Sequence, residues 1–409
     1  MDQEGNKTAD VVLIASVGRT QEPLEASLAE HTPHAAILIA SEDTMGTAAQ
    51  LRESYPEVSF KTLLLNDPEN LTESFRLARK ALAMAKKLEA KAIVADITGG
   101  TKPMTAGLVL ALSGLGVVFS YVGGIQRDPD TGRVLSGSER ARVLEDPTVR
   151  FHEAEWKAFR QSWNAWRMDA AAEVLGRLLE NNPALSPSEQ KFFRHLQGVS
   201  LGMAAWDRFH HAEALMGIEG NLPVALAIAE AWRHGNKVRV LKTIEAELPR
   251  LKRLVKKEGR PTMELLADLL ANADRRAEAG HYDDAIARLY RALELAAEAD
   301  LHHRTGILLR KPETWPDGLQ PLMQSRTQRL LGLQSVLDLI FDIDVQLGNQ
   351  GTLAQKLRAQ KLQMGDVLRK RNESILAHGT KPVDHNSHLS FRQVFTGLNL
   401  EAAPAWPKW

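Results

Sequence analysis

The chain has 409 residues, 44% hydrophobic and 25% charged, with 51 Lys and Arg against 51 Asp and Glu. That length allows two or three domains with full cores, and zero net charge excludes a whole-molecule field for nucleic acid, so polyanion binding must come from a local patch. There is no cysteine, which excludes disulfides, zinc–thiolate centres and thiol nucleophiles and suits a cytoplasmic protein.

The first residues, MDQEGNKTAD, lack the basic and apolar regions of a signal peptide. Five short apolar runs follow, at 11–17, 35–41, 58–65, 91–97 and 117–122, separated by helical stretches of which 69–90 is the clearest. Continuous apolar strands between helices predict a parallel sheet covered on both faces, a Rossmann-like α/β domain over residues 1–150. The stretch Ala106–Gly124 is uncharged over 19 residues, but Gly114 and Gly116 interrupt it. It reads as a buried helix, a tight turn and a buried strand, and no membrane partner is expected. GGIQRDPDTGRVLSG then reads as a β-hairpin turning at DPDTG.

From Phe151 strand signals nearly vanish. Trp156, Trp163 and Trp166 fall at helical spacing, as core residues would. Residues 151–260 form a helical block to which only a connecting role is assigned, and 261–409 form a second helical domain. In the latter, two amphipathic helices meet at Gly280, and a long helix over about 352–377 stops at Gly379. The tail EAAPAWPKW is expected to fray. The fold class is therefore α/β plus all-α.

Two stretches carry chemistry. DITGGTKPM, Asp96–Met104, has the residues of a phosphate loop but not the Walker A order: Thr101 separates Gly100 from Lys102, and Ala95 stands where the first glycine should be. Its placement still makes an anion site. The fourth strand brings Asp96 to the carboxyl edge of the sheet, Thr98–Lys102 turn there, and Pro103 starts a helix where its missing N–H costs least. SVGRT after the first strand and YVGG after the fifth open onto the same edge, where such sheets bind ligands. Glycines that merely make tight turns are the plainer alternative.

The second stretch is RKRNESILAHG, Arg369–Gly379. Arg371 and His378 are seven apart, so a continuous helix puts both on one face. Residues 352–381 hold seven Lys and Arg against two acids, a basic patch suited to a polyanion. The plainer alternative is a solvated basic helix end with a histidine on its dipole. Among other candidates, His210–His211 and His302–His303 lack the carboxylate or cysteine company of a metal site, and Asp283–Asp284 are expected to face solvent.

The order SVGRTQEP, DITGGTKPMTAGL, YVGG resembles the CARF domain, the Rossmann-like sensor of CRISPR systems. That resemblance, over about 10–145, implies a cyclic oligoadenylate ligand, a tetra- or hexa-adenylate, bound across a homodimer. Thr101, Lys102 and the backbone of Gly99 and Gly100 would hold ribose and phosphate, with Gly18 and Thr20 lining the pocket and Asp96 and Thr98 also counted among its binding residues. R-N-x-S-I-L-A-H-G resembles the R-x4–6-H signature of HEPN ribonucleases, over about 262–382. Together the two resemble the CARF–HEPN ancillary ribonucleases of type III CRISPR systems. This implies a metal-independent endoribonuclease acting on single-stranded RNA: His378 as acid or base, Arg371 on the scissile phosphate, Asn372 orienting one of them, and two protomers sharing a composite cleft. No cofactor is implied beyond the activator. Two alternatives stay open: a sensor whose helical half is not catalytic, and an enzyme that degrades the cyclic ligand at the α/β domain. Ring size and RNA sequence preference are not legible.

Overall fold

A computed structural model describes residues 10–124, 139–182, 185–319, 321–322, 332–359, 361–374 and 379–409. The chain divides into two compact units, Met1–Trp156 and Lys157–Trp409.

The first unit is built on strands β1 Val11–Ser16, β2 Ala35–Ser41, β3 Ser59–Leu65, β4 Ala92–Asp96, β5 Val118–Gly124 and β6 Glu139–Leu144. Their order in the sheet is β3-β2-β1-β4-β5-β6. β1 to β5 are parallel and β6 pairs antiparallel with β5, with Gly124 opposite Glu139. The hairpin expected there is present as a strand pair; its DPDTG turn lies outside the described residues. Helices α1 Glu22–His31, α2 Met45–Ser54, α3 Leu71–Lys86 and α4 Lys102–Leu112 connect the strands.

The strand alternation divides the core in two. Val12, Ile14, Ile37 and Ile39 pack with Leu77, Ala81, Met104 and Leu108 of α3 and α4. Leu13, Ala15, Ala36 and Leu38 pack with Leu24, Leu28, Ala48 and Leu51 of α1 and α2. Burial on both faces is why these strands read as unbroken apolar runs. Asn70 starts α3 by accepting the Glu73 amide at 3.0 Å. The turn expected in the uncharged stretch falls between α4 and β5, with Gly114 and Gly116 at φ +74° and +75°.

The consequence for function is topological. The chain runs outward from β1 through β2 to β3, then returns to lay β4 on the other side of β1. The loops after β1 and β4 therefore diverge at adjacent strand ends, the switch point where open α/β sheets take ligands.

The second unit is helical. Helix α5 Pro147–Arg150 precedes it in the chain, and α6 Glu153–Asn164 leads into it. There follow α7 Met168–Asn181, α8 Pro187–Asp207, α9 His211–Ala231, α10 Gly235–Lys256, α11 Met263–Glu278 and α12 Tyr282–Thr305. The last four are α13 Leu333–Gln346, α14 Leu353–Ala359, α15 Lys361–Asn372 and α16 His385–Gly397. Helices α11, α12, α13 and α16 enclose one apolar core that includes Leu270, Leu289, Ile340, Phe391 and Phe395. Trp163 and Trp166 are buried, as their spacing predicts.

A buried charge network joins α8–α10 to α11. The Asp268 carboxylate, 1% exposed, accepts from Arg250 Nη1 at 2.6 Å, His211 Nε2 at 3.1 Å and Trp206 Nε1 at 3.1 Å. Burial alone would raise this carboxyl, but the His211 hydrogen bond and the Arg250 charge outweigh it and hold it below its ordinary value. Two turns on, Arg275 Nε donates to Asp207 at 3.0 Å and the Arg275 guanidinium lies 3.7 Å from the Trp406 ring. His211 therefore does have carboxylate company, contrary to the sequence reading, and the partner comes from 57 residues away.

Three further expectations are corrected. The tail does not fray: Trp406 is buried, Ala403 N bonds Ala267 O at 2.8 Å, and Pro407 O accepts from Trp163 Nε1 at 2.8 Å. Asp283 and Asp284 are half-buried and engaged rather than free in solvent; Asp284 pairs with Arg288 and Arg276, and Asp283 holds the Val383 amide at 3.0 Å. The long helix ends at Asn372, not near Ala377. Beyond it, backbone groups that a longer helix would use are diverted: Ser374 O accepts the Gly379 amide, Glu373 O accepts the Lys381 amide, and Ser374 forms a β-bridge with Lys381.

Candidate functional site

At the sheet edge, the loops after β1 and β4 meet through backbone alone. A Cβ on Gly99 would lie 2.5 Å from Ser16 O and 3.0 Å from Gly18 N, and one on Gly18 would lie 3.3 Å from Gly100 N. Only glycine fits at position 99. Ser16 Oγ closes the crossing by donating to Gly99 O at 2.5 Å.

Side chains of the loop are turned inward to hold it. Asp96 is wholly buried, and its Oδ1 accepts the Thr98 amide at 2.8 Å. Thr98 Oγ1 accepts the Val122 amide of β5 at 2.7 Å. Thr101 caps α4: its hydroxyl accepts the Met104 amide at 3.4 Å and donates to Pro68 O at 2.5 Å. What the loop offers outward is Lys102, Thr20 and Gly100, all exposed, beside the N-terminus of α4. Among the described residues Lys102 has no ion pair, and the amides of Gly100 and Lys102 donate to no protein acceptor. Free amides, a helix N-terminus and one uncommitted lysine converge there, an arrangement whose chemistry suits a phosphate. Of the eight residues expected at this ligand, the structure gathers all at one sheet edge, with Asp96 and Thr98 as its foundation.

In the helical unit, Arg371 lies in the last turn of α15. Its guanidinium stacks on the Tyr290 ring of α12 at 4.1 Å, and its Nη1 donates to Asn372 Oδ1 at 3.1 Å. Tyr290 is itself fixed, its phenol oxygen accepting the Leu333 amide at 3.1 Å. Arg371 is thus half-buried and aimed by an aromatic face and an amide.

His378 lies outside the described residues. The segments on either side of it are drawn together: Gly379 N bonds Ser374 O at 3.1 Å, and Lys381 Nζ pairs with Glu373 at 3.1 Å. A side chain at Gly379 would overlap the Glu373 carbonyl, so glycine is required at this closure. Asp283 then anchors Val383 to the start of α12. Asp384 caps α16, and its hydrogen bonds from Ser387 hold its carboxyl below the ordinary value. His388 is buried behind this cap; desolvation pushes its pKa down, the Asp274 charge opposes that, and His385 and Arg392 add to it. The helix ends at Asn372, so over the described residues it carries no face shared with His378, which lies outside them. Sequence reasoning missed Tyr290 and Asp283. For Tyr290 the signal was one of only four tyrosines standing in an alanine- and leucine-rich helix.

Among the described residues no three His, Asp or Glu side chains converge as metal ligands. With this geometry in place, family comparisons decide the class. The family model of the Csm6 HEPN domain matches residues 254–401, and that of the Csm6 6H domain matches 151–248. The two stand in order and together span more than half of the chain. The chain belongs to the Csm6 family, the CARF–HEPN ancillary ribonucleases of type III CRISPR systems. The HEPN match contains α11 to α16 and Arg371. The block described from sequence as merely connecting is a domain of this family in its own right.

Among solved structures, the chain is similar to Enterococcus italicus Csm6 bound to cyclic hexa-2'-fluoro-hexa-dAMP, at 12% identity and a TM-score of 0.45, covering 95% of this chain and 93% of that one. It is also similar to Can2 from Sulfobacillus thermosulfidooxidans in complex with cyclic tetra-adenylate, at 14% identity and a TM-score of 0.26, over 50% of this chain and 68% of that one. No curated protein matches the chain.

Proposed function

We propose that this chain is a ribonuclease of CRISPR antiviral defence, switched on when a cyclic oligoadenylate occupies the sheet-edge site and cleaving single-stranded RNA with Arg371 and His378. The observation that carries this reading is the Csm6 HEPN match over a segment in which Arg371 is held by an aromatic face and an amide.

The substrate supplies its own nucleophile. The 2′-OH attacks the adjacent phosphorus, its proton passes to His378, and the P–O5′ bond breaks to leave a 2′,3′-cyclic phosphate and a 5′-hydroxyl that takes up a proton. Arg371 neutralises charge on the pentacoordinate phosphorus, the group that gains charge as the reaction proceeds. Asn372 fixes the guanidinium, and a second protomer completes the cleft. The transesterification proceeds without metal. At the other site a ring of phosphate monoanions meets the amides at the start of α4 and Lys102, within the cytoplasm where transcripts are made.

A fluorogenic RNA incubated with the protein and each cyclic oligoadenylate in turn, with and without EDTA, tests the reading. Cleavage that depends on one ring, survives the chelator and leaves 2′,3′-cyclic phosphate ends is expected. Cleavage restored only by added magnesium or manganese would overturn metal independence.

A further inference from the structure

The segment joining α10 to α11, residues 257–262, is surrounded by three clefts of about 740, 380 and 300 Å³, and Arg260 lines all of them. The first two also share Lys257 and Thr262, and the last two share Gly259 and Leu265, so they adjoin as one groove. The groove begins at His302 and His303, passes Phe209 and ends at Arg310 and Lys311.

Its charge is out of proportion to a neutral chain. Residues 235–261 carry nine Lys and Arg against three acids. Glu264 is paired with Lys257 and Glu298 with Arg291, which leaves Glu258 and Glu401 as the acids of the groove without an ion pair among the described residues. On the other side, Lys256 on the flank and Arg260, Arg310 and Lys311 along the groove are all exposed and form no ion pair among the described residues. Between these cations the walls are apolar: Leu265, Leu269, Leu295 and the Phe209 ring. A rim of free cations over an apolar and aromatic floor suits a strand whose phosphates face outward and whose bases turn in, which is single-stranded nucleic acid; a duplex hides its bases.

We infer that this groove holds a flanking stretch of the RNA substrate, a contact surface separate from the Arg371 loop. The inference rests on the nuclease reading above and adds a second point of attachment to it. Its chemistry is phosphate neutralisation by Lys256, Arg260 and Lys311, with base contacts on Phe209.

The experiment uses the full chain with its cyclic oligoadenylate activator and a 20-nucleotide RNA made uncleavable by 2′-O-methylation. Affinity is followed by fluorescence anisotropy across a salt titration. In the Lys256→Glu, Arg260→Glu, Lys311→Glu triple variant, affinity should fall at least about tenfold, and the slope of log K against log salt should become shallower by about 2, near 0.7 for each lost phosphate contact. Turnover of a tetranucleotide, which spans fewer contacts than the 20-nucleotide RNA, should be lowered much less. The corresponding triple glutamine variant, which removes charge without reversing it, should give the same slope and a smaller loss of affinity, and it serves where the glutamate variant fails to fold. Unchanged affinity and slope would overturn the inference and point to another occupant, and so would equal losses on long and short RNA. If the wild-type chain neither binds nor cleaves RNA, the nuclease reading falls first; if it cleaves and the variants behave like it, only the groove is refuted.

Discussion

The two sites are built from different materials. At the sheet edge the contact surface is largely backbone: Gly99 crosses Ser16 and Gly18 at distances no side chain permits, Gly100 takes a φ of +88°, and Asp96, Thr98 and Thr101 serve the loop itself. At the end of α15 the contact surface is side chain: Arg371 depends on Tyr290 from α12, which depends on Leu333 from α13. The first site is a local property of one sheet and fails when a glycine changes. The second is a property of helix packing and fails when α12 or α13 shifts against α15. Substitutions that act on one kind of support and spare the other put this contrast at risk.

The largest effect should follow from the network behind the helical site. Asp268→Asn removes a buried carboxylate shared by Arg250, His211 and Trp206 and leaves Arg250 only Glu247, and loss of one partner of a buried pair costs about 3–5 kcal/mol. Thermal unfolding should show a marked loss, with ligand binding at the sheet edge retained. The pH dependence has a definite sign. Asp268 is depressed in the folded state, so its contribution is present above the ordinary carboxylate range and disappears as pH falls through the lowered value. His388 is also depressed, so the folded state resists its protonation and stability begins to decline below its ordinary 6.5. Acid unfolding of the wild type should therefore begin near the histidine range and steepen in the carboxylate range. The Asn variant should lose the second part alone. An unchanged acid limb in that variant would refute the role given to Asp268.

Next comes Arg371→Ala, which should lower kcat by about 10²–10³ while cyclic oligoadenylate affinity stays at the wild-type level. His378→Ala should match it, and the double variant should be little worse than either, as for groups acting on one phosphate. Wild-type cleavage by the single variants would leave the helical unit as a non-catalytic partner of the sensor.

At the sheet edge, Lys102→Ala should weaken ligand binding by about 1.5–3 kcal/mol, the range for a hydrogen bond to a charged group, and twice that where a symmetric dimer presents two copies. Gly99→Ala tests the backbone part of the claim. Its methyl would meet Ser16 O, so calorimetry should show weaker ligand binding together with a stability loss of about 1–3 kcal/mol. A Gly99→Ala protein that binds ligand normally would show that side chains, after all, make that site.

The smallest effect expected is at Tyr290. Tyr290→Leu removes the ring under Arg371 and should lower kcat by about 0.5–2 kcal/mol in barrier terms with KM little changed, whereas Tyr290→Phe, which keeps the ring, should retain most of the rate. If Phe and Leu are equally impaired, the phenol oxygen on Leu333 matters and the stacking does not.

How much of this was readable before the structure follows the same contrast. The parallel strands begin and end within a residue or so of the apolar runs, because a strand buried on both faces advertises itself through its own composition. The glycine loop was legible because its constraint is steric and local. In the helical unit the residues of the motif were legible and their arrangement was not. RKRNES continues a helical pattern, and nothing in it reports that Ser374 will bridge to Lys381 seven residues on. His211 and Asp268 are ordinary alone and become a pair only when α9 meets α11. EAAPAWPKW carries two prolines and two tryptophans, and local signals weigh the prolines while the fold uses the tryptophans.

That C-terminal segment also sets an order of events during synthesis. Trp163 stands at the start of the helical unit, yet its indole finds its acceptor at Pro407, 244 residues later, and its ring meets Trp409 at 5.9 Å. The first helices to leave the ribosome therefore lack their last wall until nearly the whole unit has been made. Neighbouring helices can pair as they emerge, but a structure closed by contacts of such long sequence separation completes its packing late. The sheet unit, whose strands find their neighbours within its own stretch of chain, is under no such delay, so the sensor is complete while the effector it governs is still open.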